Sequence, residues 1–421
     1  MKRAAKDRAF FFSSSLLRFF ASIFSLYRSA FSGLPREAWM LSVVEFVNRS
    51  GTMVFFFMTL YLTQSFHYTP TQAGQVISAY GIGALLGSYA GGKLTDVLGA
   101  YNVQKLSLAI TGFTFILLGQ LKSYWWITAV MFFMGVCSEA LQPANATAMS
   151  QVCPPALRTK GFALNRLAIN LGVSIGPVVG GYLALIDYGL LFWIDGLTCL
   201  LAAGIFILFF KTSRPAQESH VDSPVNTPTQ SVWRDFYFLK VLVFTFFVGI
   251  IFVQVFNTFP LFFRTVYHLK ENRIGLLIAV NTVMIVLFEM LLMDALKKRS
   301  AVKVIASGAL LLGVGFALMP LGSTFLFGCF TVAVWTMGEM LSMPSLAALV
   351  ANHSDDAVRG KYMGLFSFAF SLSLVVGPLL GAKIYDSLGS GTLWFGCGVA
   401  GIILWRGFSS LEKVKAKSAI R

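Results

Sequence analysis

The sequence predicts an all-α integral membrane protein with twelve transmembrane helices in two pseudo-symmetric six-helix bundles. Three observations predict this fold class. The 421 residues are 56% hydrophobic and only 12% charged, whereas about 25% charged is usual for soluble domains. Twelve apolar segments are each long enough to cross a bilayer, for which about 20 residues suffice. A stretch of the first half also recurs, without gaps, in the second half.

The twelve apolar segments form two sets of six. They lie near 38–64, 71–97, 101–121, 124–151, 158–184, 188–210, 239–265, 272–296, 301–320, 323–351, 357–384 and 390–410. A polar, proline-rich segment separates the two sets, and such a composition is typical of a flexible linker. The predicted organisation is therefore a basic N-terminal tail at 1–37, a bundle at 38–210, a linker at 211–238, a second bundle at 239–410 and a basic tail at 411–421.

The N-terminal tail carries basic residues followed by aromatic and aliphatic residues at helical spacing. This pattern predicts an amphipathic helix lying on an anionic cytoplasmic leaflet. A signal peptide and a disordered tail are the alternatives. Arg18, within the apolar part, argues against the signal peptide.

The repeat relates the fifth apolar segment to the eleventh. Arg158 to Gly181 aligns with Arg359 to Ala382 at an offset of 201 residues, with 8 of 24 positions identical. Pro177 falls on Pro378, within a Gly-Pro pair that both copies contain. Internal repeats of this kind are typical of secondary transporters. The duplication therefore favours a transporter over a membrane-embedded enzyme or scaffold.

The net charge of +15 is distributed asymmetrically. With the N-terminus inside, 25 Lys and Arg residues fall in or beside the cytoplasmic segments and 4 fall on the other side. The positive-inside rule then predicts a multi-pass protein of the inner membrane with both termini cytoplasmic. The same distribution accounts for the charge without nucleic acid as a partner. The five cysteines are scattered and form no C-x-x-C pair, so no metal site and no cofactor is expected.

A Gly-Asp-Gly motif lies where the second segment ends. Gly83, Gly92, Asp96 and Gly99 are its members, and Lys105 is the first cation after them. In this position the motif resembles the signature between spans two and three of the major facilitator superfamily, whose basic residues after the last glycine are missing here. The resemblance implies that Asp96 attracts a helix N-terminus of the other half and so holds the outward-facing state. An anion beside a helix N-terminus is stabilised by up to about 1–2 kcal/mol.

The fifth segment contains the pattern G-x-x-x-G-P-x-x-G-G. Its members are Gly172, Gly176, Pro177, Gly180 and Gly181. It resembles the antiporter motif of the drug/proton antiporter branch of the superfamily, which implies a bend and close packing that hinder a leak. Plain helix packing is the structural alternative, since small residues let membrane helices approach closely. The branch's arginine in span four is missing, and Met131 stands in its place.

Five charged residues within the predicted spans are candidates for substrate binding or proton coupling. Glu45 and Arg49 are four residues apart, so they share a helix face and can pair. Glu139 and Glu339 lie near mid-span in segments four and ten, which line the cavity in the superfamily. Glu289 comes second, together with Asp195 and Arg166, because these lie nearer the predicted interfaces. Ionisable groups within a membrane are functional by default, although structural ion pairing and packing remain alternatives for each.

The function predicted from these features is secondary active transport by alternating access, in a protein that is not an enzyme. The resemblance to drug antiporters favours proton-coupled export of amphipathic organic compounds or drugs. A proton-coupled transporter of an anionic metabolite or siderophore, with Arg49 as the anchor, is the alternative. The expected partners are a small-molecule substrate, protons and the lipid bilayer, and the expected oligomeric state is a monomer.

Overall fold

The computed structural model describes residues 31–210, 232–354 and 358–418. Most of the predicted N-terminal tail and of the linker therefore lies outside the described residues. Within them every element of regular structure is helical. The α-helices of the first half are α1 (Arg36–Ser50), α2 (Val54–Ser65), α3 (Pro70–Leu98), α4 (Ala100–Leu118), α5 (Tyr124–Glu139), α6 (Leu141–Val152), α7 (Arg158–Ala184) and α8 (Gly189–Phe209). Those of the second half are α9 (Phe236–Val253), α10 (Thr258–Thr265), α11 (Glu271–Leu296), α12 (Ala301–Leu318), α13 (Phe325–His353), α14 (Arg359–Leu388) and α15 (Ser390–Ser418).

Nine helical stretches in the described part of the chain are long and apolar enough to cross a membrane. They correspond to the fourth to twelfth predicted segments. The first three segments are helical but are not among the nine. The first segment is divided into α1 and α2, of 15 and 12 residues, each too short to span alone. Helices α3 and α4 carry polar side chains along their length, which lowers their hydropathy.

The start and end of α3 follow from local sequence. Thr69 and Gln72 form a capping box in which each side chain accepts a hydrogen bond from the other's backbone N–H, and Pro70 occupies the first turn. The helix ends at Gly99, whose φ of +82° and ψ of 148° lie in a region that is essentially restricted to glycine. Gly99 thus turns the chain from α3 into α4.

Gly99→Ala should destabilise the protein by about 1–3 kcal/mol, because alanine is strained in this backbone conformation. Gly92→Ala is the matched control from the same motif. Gly92 is helical, and a Cβ there would meet nothing within 4 Å, so alanine should stabilise by up to about 1 kcal/mol. Thermal unfolding in detergent measures both. Equal effects of the two substitutions would contradict this account of the turn.

Contacts between the two halves concentrate on the side that the charge distribution assigns to the outside. Helix α7 packs on α11, α3 packs on α14, and α2 packs on α10. Hydrogen bonds link Thr71 to Asp386 at 2.7 Å and Tyr188 to Glu271 at 2.9 Å. Both hydrogen bonds lie on the side of the bundle opposite to the side where α1 begins and α15 ends. The halves are thus closed against each other at this end.

Three helices of the second half meet at Asp235, on the opposite side. Its carboxylate accepts hydrogen bonds from the Phe238 N–H at 2.9 Å, from His353 Nε2 at 2.6 Å and from the Tyr362 hydroxyl at 3.1 Å. Partial burial raises the pKa of Asp235, but these hydrogen bonds outweigh it and hold the pKa below its ordinary value of 3.8. Asp235 therefore caps α9 and ties it to α13 and α14.

A carboxyl whose pKa is lower in the folded state than in the unfolded state stabilises the protein above its unfolded-state pKa. That stabilisation is lost as the pH falls through the folded-state pKa. We therefore expect the thermal stability of the wild type to fall more steeply below about pH 3.8 than that of Asp235→Asn, which has no such proton to bind. Melting temperatures between pH 3 and pH 7, roughly the range that brackets this titration, would measure it. Parallel curves for the two proteins would contradict the expectation.

Candidate functional site

A cavity of about 300 Å³ is lined mainly by residues of the first half and also by residues of the second half. The size is within the range of small-molecule sites. Helices α1, α3, α4, α5 and α8 contribute its polar wall, and the second half contributes phenylalanines from α9 and α14. The polar and charged lining residues are Asn48, Arg49, Thr52, Tyr80, Ser107, Thr111, Ser138, Glu139 and Asp195. The aromatic lining residues are Phe55, Phe56, Phe115, Phe252, Phe256 and Phe370.

Two of the predicted candidates, Arg49 and Glu139, meet in this cavity. Arg49 Nε donates to Glu45 Oε1 at 2.9 Å, so the pair expected from their spacing is formed. Glu139 Oε1 accepts from the Tyr80 hydroxyl at 3.2 Å, and Tyr80 also hydrogen-bonds Ser138 at 3.1 Å. Arg49 and Glu139 are close enough to attract each other. The cavity therefore presents a cation and a carboxylate on one wall.

The first span is interrupted beside this wall, between α1 and α2. Asp195 of α8 is fully buried there and accepts hydrogen bonds from the backbone N–H groups of Met53 at 3.0 Å and Val54 at 2.8 Å. The first N–H groups of a helix have no partner within it, so the carboxylate caps α2. Gly51 allows the break, because a Cβ there would clash with Thr198. Asp195 was expected nearer an interface and is found instead at the break.

The seventh span is interrupted at the related position, between α9 and α10. Gln254 Nε2 donates to the Gly377 carbonyl at 2.9 Å, and Asn257 Nδ2 donates to the Pro378 carbonyl at 2.8 Å. Thr59 Oγ1 donates to Asn257 Oδ1 at 2.9 Å across the two halves. The segment predicted as one continuous helix is thus held in two pieces by side-chain amides. Interrupted helices are typical of transporter binding sites.

The two copies of the repeat contact these two interruptions. In α7, a Cβ at Gly176 would meet the Thr52 carbonyl, and one at Gly180 would meet Met53. In α14, a Cβ at Gly381 would clash with Gln254. The glycines of both motifs therefore make room for a neighbouring broken helix, which gives the duplicated pattern a common packing role.

The remaining glycines of the α7 motif pack in two directions. A Cβ at Gly172 would approach Arg49 to 2.8 Å, so this glycine lies behind the charged wall of the cavity. A Cβ at Gly181 would lie 2.5 Å from the Glu271 carbonyl of α11. Gly275 of α11 in turn leaves room for the Pro177 carbonyl. The motif thus packs against the cavity and against the other half.

The acids of the second half lie apart from the cavity lining. Glu339 Oε2 accepts from Asn281 Nδ2 at 2.7 Å, and Asn281 also donates to Thr336 at 3.1 Å. Glu289 forms an ion pair with Arg166 at 2.5 Å, which joins α11 to α7. Glu139 and Glu339 are nearly related by the repeat, yet only Glu139 lines the cavity.

The members of the Gly-Asp-Gly motif of α3 differ in burial and in contacts. A Cβ at Gly83 would clash with the Phe132 carbonyl of α5, so this glycine serves packing within the first half. Asp96 is exposed, and it forms no hydrogen bond or ion pair among the residues that the structure describes. Its contact with a helix N-terminus of the other half is not seen among the described residues, and it stays a prediction for the outward-facing state.

Comparison with known proteins assigns the family. The model of the Major Facilitator Superfamily matches residues 41–378 and 274–418. The chain belongs to the major facilitator superfamily. A solved structure of a POT family transporter in complex with 5-aminolevulinic acid shares the fold, with a TM-score of 0.76, 16% identity and coverage of 89% of this chain and 95% of that one. The predicted fold class is thereby confirmed, and this facilitator is a multi-pass membrane transporter rather than an enzyme.

Sequence relatives of this facilitator include uncharacterised and characterised transporters. The uncharacterised MFS-type transporter YqjV of Bacillus subtilis (strain 168) is 24% identical over 367 residues, which cover 84% of this chain and 87% of the relative. The class D tetracycline resistance protein of Salmonella ordonez is 27% identical over 328 residues, which cover 74% and 80%. A Na⁺, Li⁺, K⁺/H⁺ antiporter of Planococcus maritimus is 24% identical over 394 residues, which cover 85% and 90%.

Proposed function

We propose that this facilitator is a proton-coupled secondary transporter that exports amphipathic organic compounds. The observation that carries the proposal is a carboxylate, Glu139, within a cavity that six phenylalanine rings also line. Such a cavity suits lipophilic cations, because an ammonium is attracted both by the carboxylate and by ring faces. A proton and a cationic substrate would compete for Glu139. Tetracycline resistance proteins among the relatives support export of drug-like compounds.

The closed end of the molecule supports alternating access. If the N-terminus lies in the cytoplasm of the inner membrane, as the charge distribution indicates, the contacts between Thr71 and Asp386 and between Tyr188 and Glu271 close the outer side. Asp96 then lies at the cytoplasmic side, exposed and without a hydrogen bond or ion pair among the described residues. An open inward conformation would account for this. Rocking of the halves would separate the outer contacts and bring Asp96 to the other bundle.

The alternative substrate class is an anionic metabolite. The observation in its favour is Arg49, which lines the cavity and uses only its Nε atom in hydrogen bonding within the described chain. Its two terminal nitrogens could receive a carboxylate. The aromatic lining and the additional carboxylates favour a substrate with a cationic group over a purely anionic one.

Reconstituted transport distinguishes these possibilities. Proteoliposomes with an acidic interior are given ethidium as the cationic probe or salicylate as the anionic probe, and uptake is followed with and without the pH gradient. We expect gradient-driven accumulation of ethidium that a protonophore abolishes. Salicylate is also tested with an acidic exterior, because only that gradient drives a proton symporter into the vesicle. Gradient-driven uptake of salicylate alone, above that of protein-free vesicles, would favour the anionic alternative. No dependence on either gradient for either probe would overturn proton coupling.

A further inference from the structure

The cavity has a polar wall and an aromatic wall that come from different parts of the molecule. Arg49, Thr111 and Glu139 lie on the polar wall, within the first half. The aromatic wall joins both halves: the Phe55 and Phe256 rings are 5.3 Å apart, and the Phe252 and Phe256 rings are 5.7 Å apart. A ligand that fills the cavity can therefore contact both charged groups and aromatic rings.

The charged groups of this wall retain unused hydrogen-bonding capacity. Glu45 occupies Arg49 Nε, and neither terminal nitrogen of Arg49 has a hydrogen bond within the described part of the chain. Glu139 Oε1 accepts from Tyr80 and, among the same residues, Oε2 accepts from none. Both side chains are half-buried, and both line the cavity. The wall can therefore offer a ligand both a charged donor and a charged acceptor.

A hydroxyl beside the cavity is left without a partner. Thr111 is 5% exposed and lines the cavity, and its Oγ1 has no hydrogen-bond partner among the residues that the structure describes. Threonine in a membrane helix can satisfy its hydroxyl by donating to a carbonyl one turn earlier, as Thr114 does by bonding Ile110. Thr111 leaves that bond unmade although its Oγ1 is buried. A polar ligand group would complete the bond only after the side chain turns towards the cavity.

We propose that the substrate is a zwitterionic amphipath with a planar aromatic body. Its carboxylate binds the two terminal nitrogens of Arg49, its ammonium binds Glu139, and its aromatic part lies against the phenylalanines of both halves. A single-charge compound would leave either the terminal nitrogens of Arg49 or one oxygen of Glu139 without a ligand partner in the cavity. A site with both groups should bind such a compound less tightly than the zwitterion. The inference rests on the proposed function, since it takes this cavity as the transport site.

Equilibrium binding to the purified full-length protein tests the inference without a proton gradient. The probes are a fluoroquinolone that carries a carboxylate and a piperazine amine, its methyl ester, which keeps only the cation, and its N-acetyl derivative, which keeps only the anion. We expect the zwitterion to bind at least about 10-fold more tightly than either analogue. Binding of either analogue within about 2-fold of the zwitterion, or no saturable binding of any probe, would overturn the proposal.

Two variants assign the two charges. Arg49→Gln alone would leave Glu45 buried without its partner, so the double variant Glu45→Gln with Arg49→Gln is used to preserve folding. In this double variant the zwitterion and the methyl ester should bind about equally well, with an affinity ratio of about 1. The zwitterion should still bind more tightly than the N-acetyl derivative. Glu139→Gln should do the reverse. Lys297→Gln and Asp294→Asn, which remove the charges of an exposed pair on α11 and the turn after it, are the matched controls and should change neither preference.

The result is separable from the outcome for proton coupling. If the zwitterion preference holds but a pH gradient drives no uptake of any of the three probes, the ligand inference stands and proton-coupled export fails. If a pH gradient drives uptake of the ester as well as it drives uptake of the zwitterion, export stands and the zwitterion inference fails. Loss of both preferences in the Lys297→Gln control would also overturn the inference, because it would show that the cavity charges do not set them.

Discussion

Glu139→Gln should reduce proton-driven accumulation of substrate by at least about 10-fold. Substrate exchange across the membrane should continue at saturating substrate. The carboxylate lies in the cavity beside Arg49, where a proton and a cationic group would bind in alternation. Glutamine has nearly the same volume and mimics the protonated acid, so the Tyr80 hydroxyl keeps a partner. Glu45 is a poorer candidate for the carrier, because it is not among the residues that line the cavity and its Oε1 already accepts from Arg49 Nε.

Proteoliposome assays separate accumulation from exchange. Glu339→Gln is compared directly, since the repeat places this acid at a corresponding depth in α13 and we expect it to impair coupling too. Glu37→Gln, in the exposed first turn of α1, is the matched control and should transport normally. Each charge moved is worth about 2.3 kcal/mol per 100 mV, so the voltage dependence of flux should change as well. If the Glu139→Gln and Glu339→Gln proteins both still concentrate substrate, proton coupling depends on another residue, and Glu45 or Glu289 becomes the next candidate.

Gly275→Leu should reduce transport by at least about 10-fold by preventing closure of the end at which the two halves meet. At Gly275 even a Cβ would clash with the Pro177 carbonyl of α7, which is backbone and cannot rotate away. Leucine would therefore force α11 and α7 apart and favour the state in which these ends are separated. A shift of an equilibrium from 1:99 to 99:1 requires about 5.5 kcal/mol, which a clash between two helix backbones can supply.

The distance between the outer ends of the two halves provides the readout. Spin labels at Gln75 of α3 and Ser387 of α14, both exposed, are placed in a background without native cysteines. We expect Gly275→Leu to lengthen this distance by several ångströms. Gly204→Leu on α8 is the matched control, since a Cβ there meets nothing within 4 Å. Normal transport by Gly275→Leu, with an unchanged distance, would show that the contact is not part of the cycle.

The sequence alone determined the fold class, because hydropathy and charge act residue by residue. Twelve apolar segments must leave water, and the Lys and Arg count favours one orientation wherever the helices pack. The internal duplication could be recognised in the sequence because the Gly-Pro pattern occurs in both halves at a constant offset. The Glu45–Arg49 pair followed from helical periodicity, since residues four apart share a face.

Only the tertiary structure decided where the helices break and which acid enters the cavity. The interruption after α1 depends on Asp195, 142 residues away from Met53, and the interruption after α9 depends on contacts with Gly377 and Pro378. Glu139 and its near-counterpart Glu339 look equivalent in the repeat, yet packing places only Glu139 in the cavity. Hydropathy and spacing specify which residues enter the membrane and which face they share along one helix. Contacts between distant helices depend on how all side chains fill the bundle together, and no local pattern encodes that.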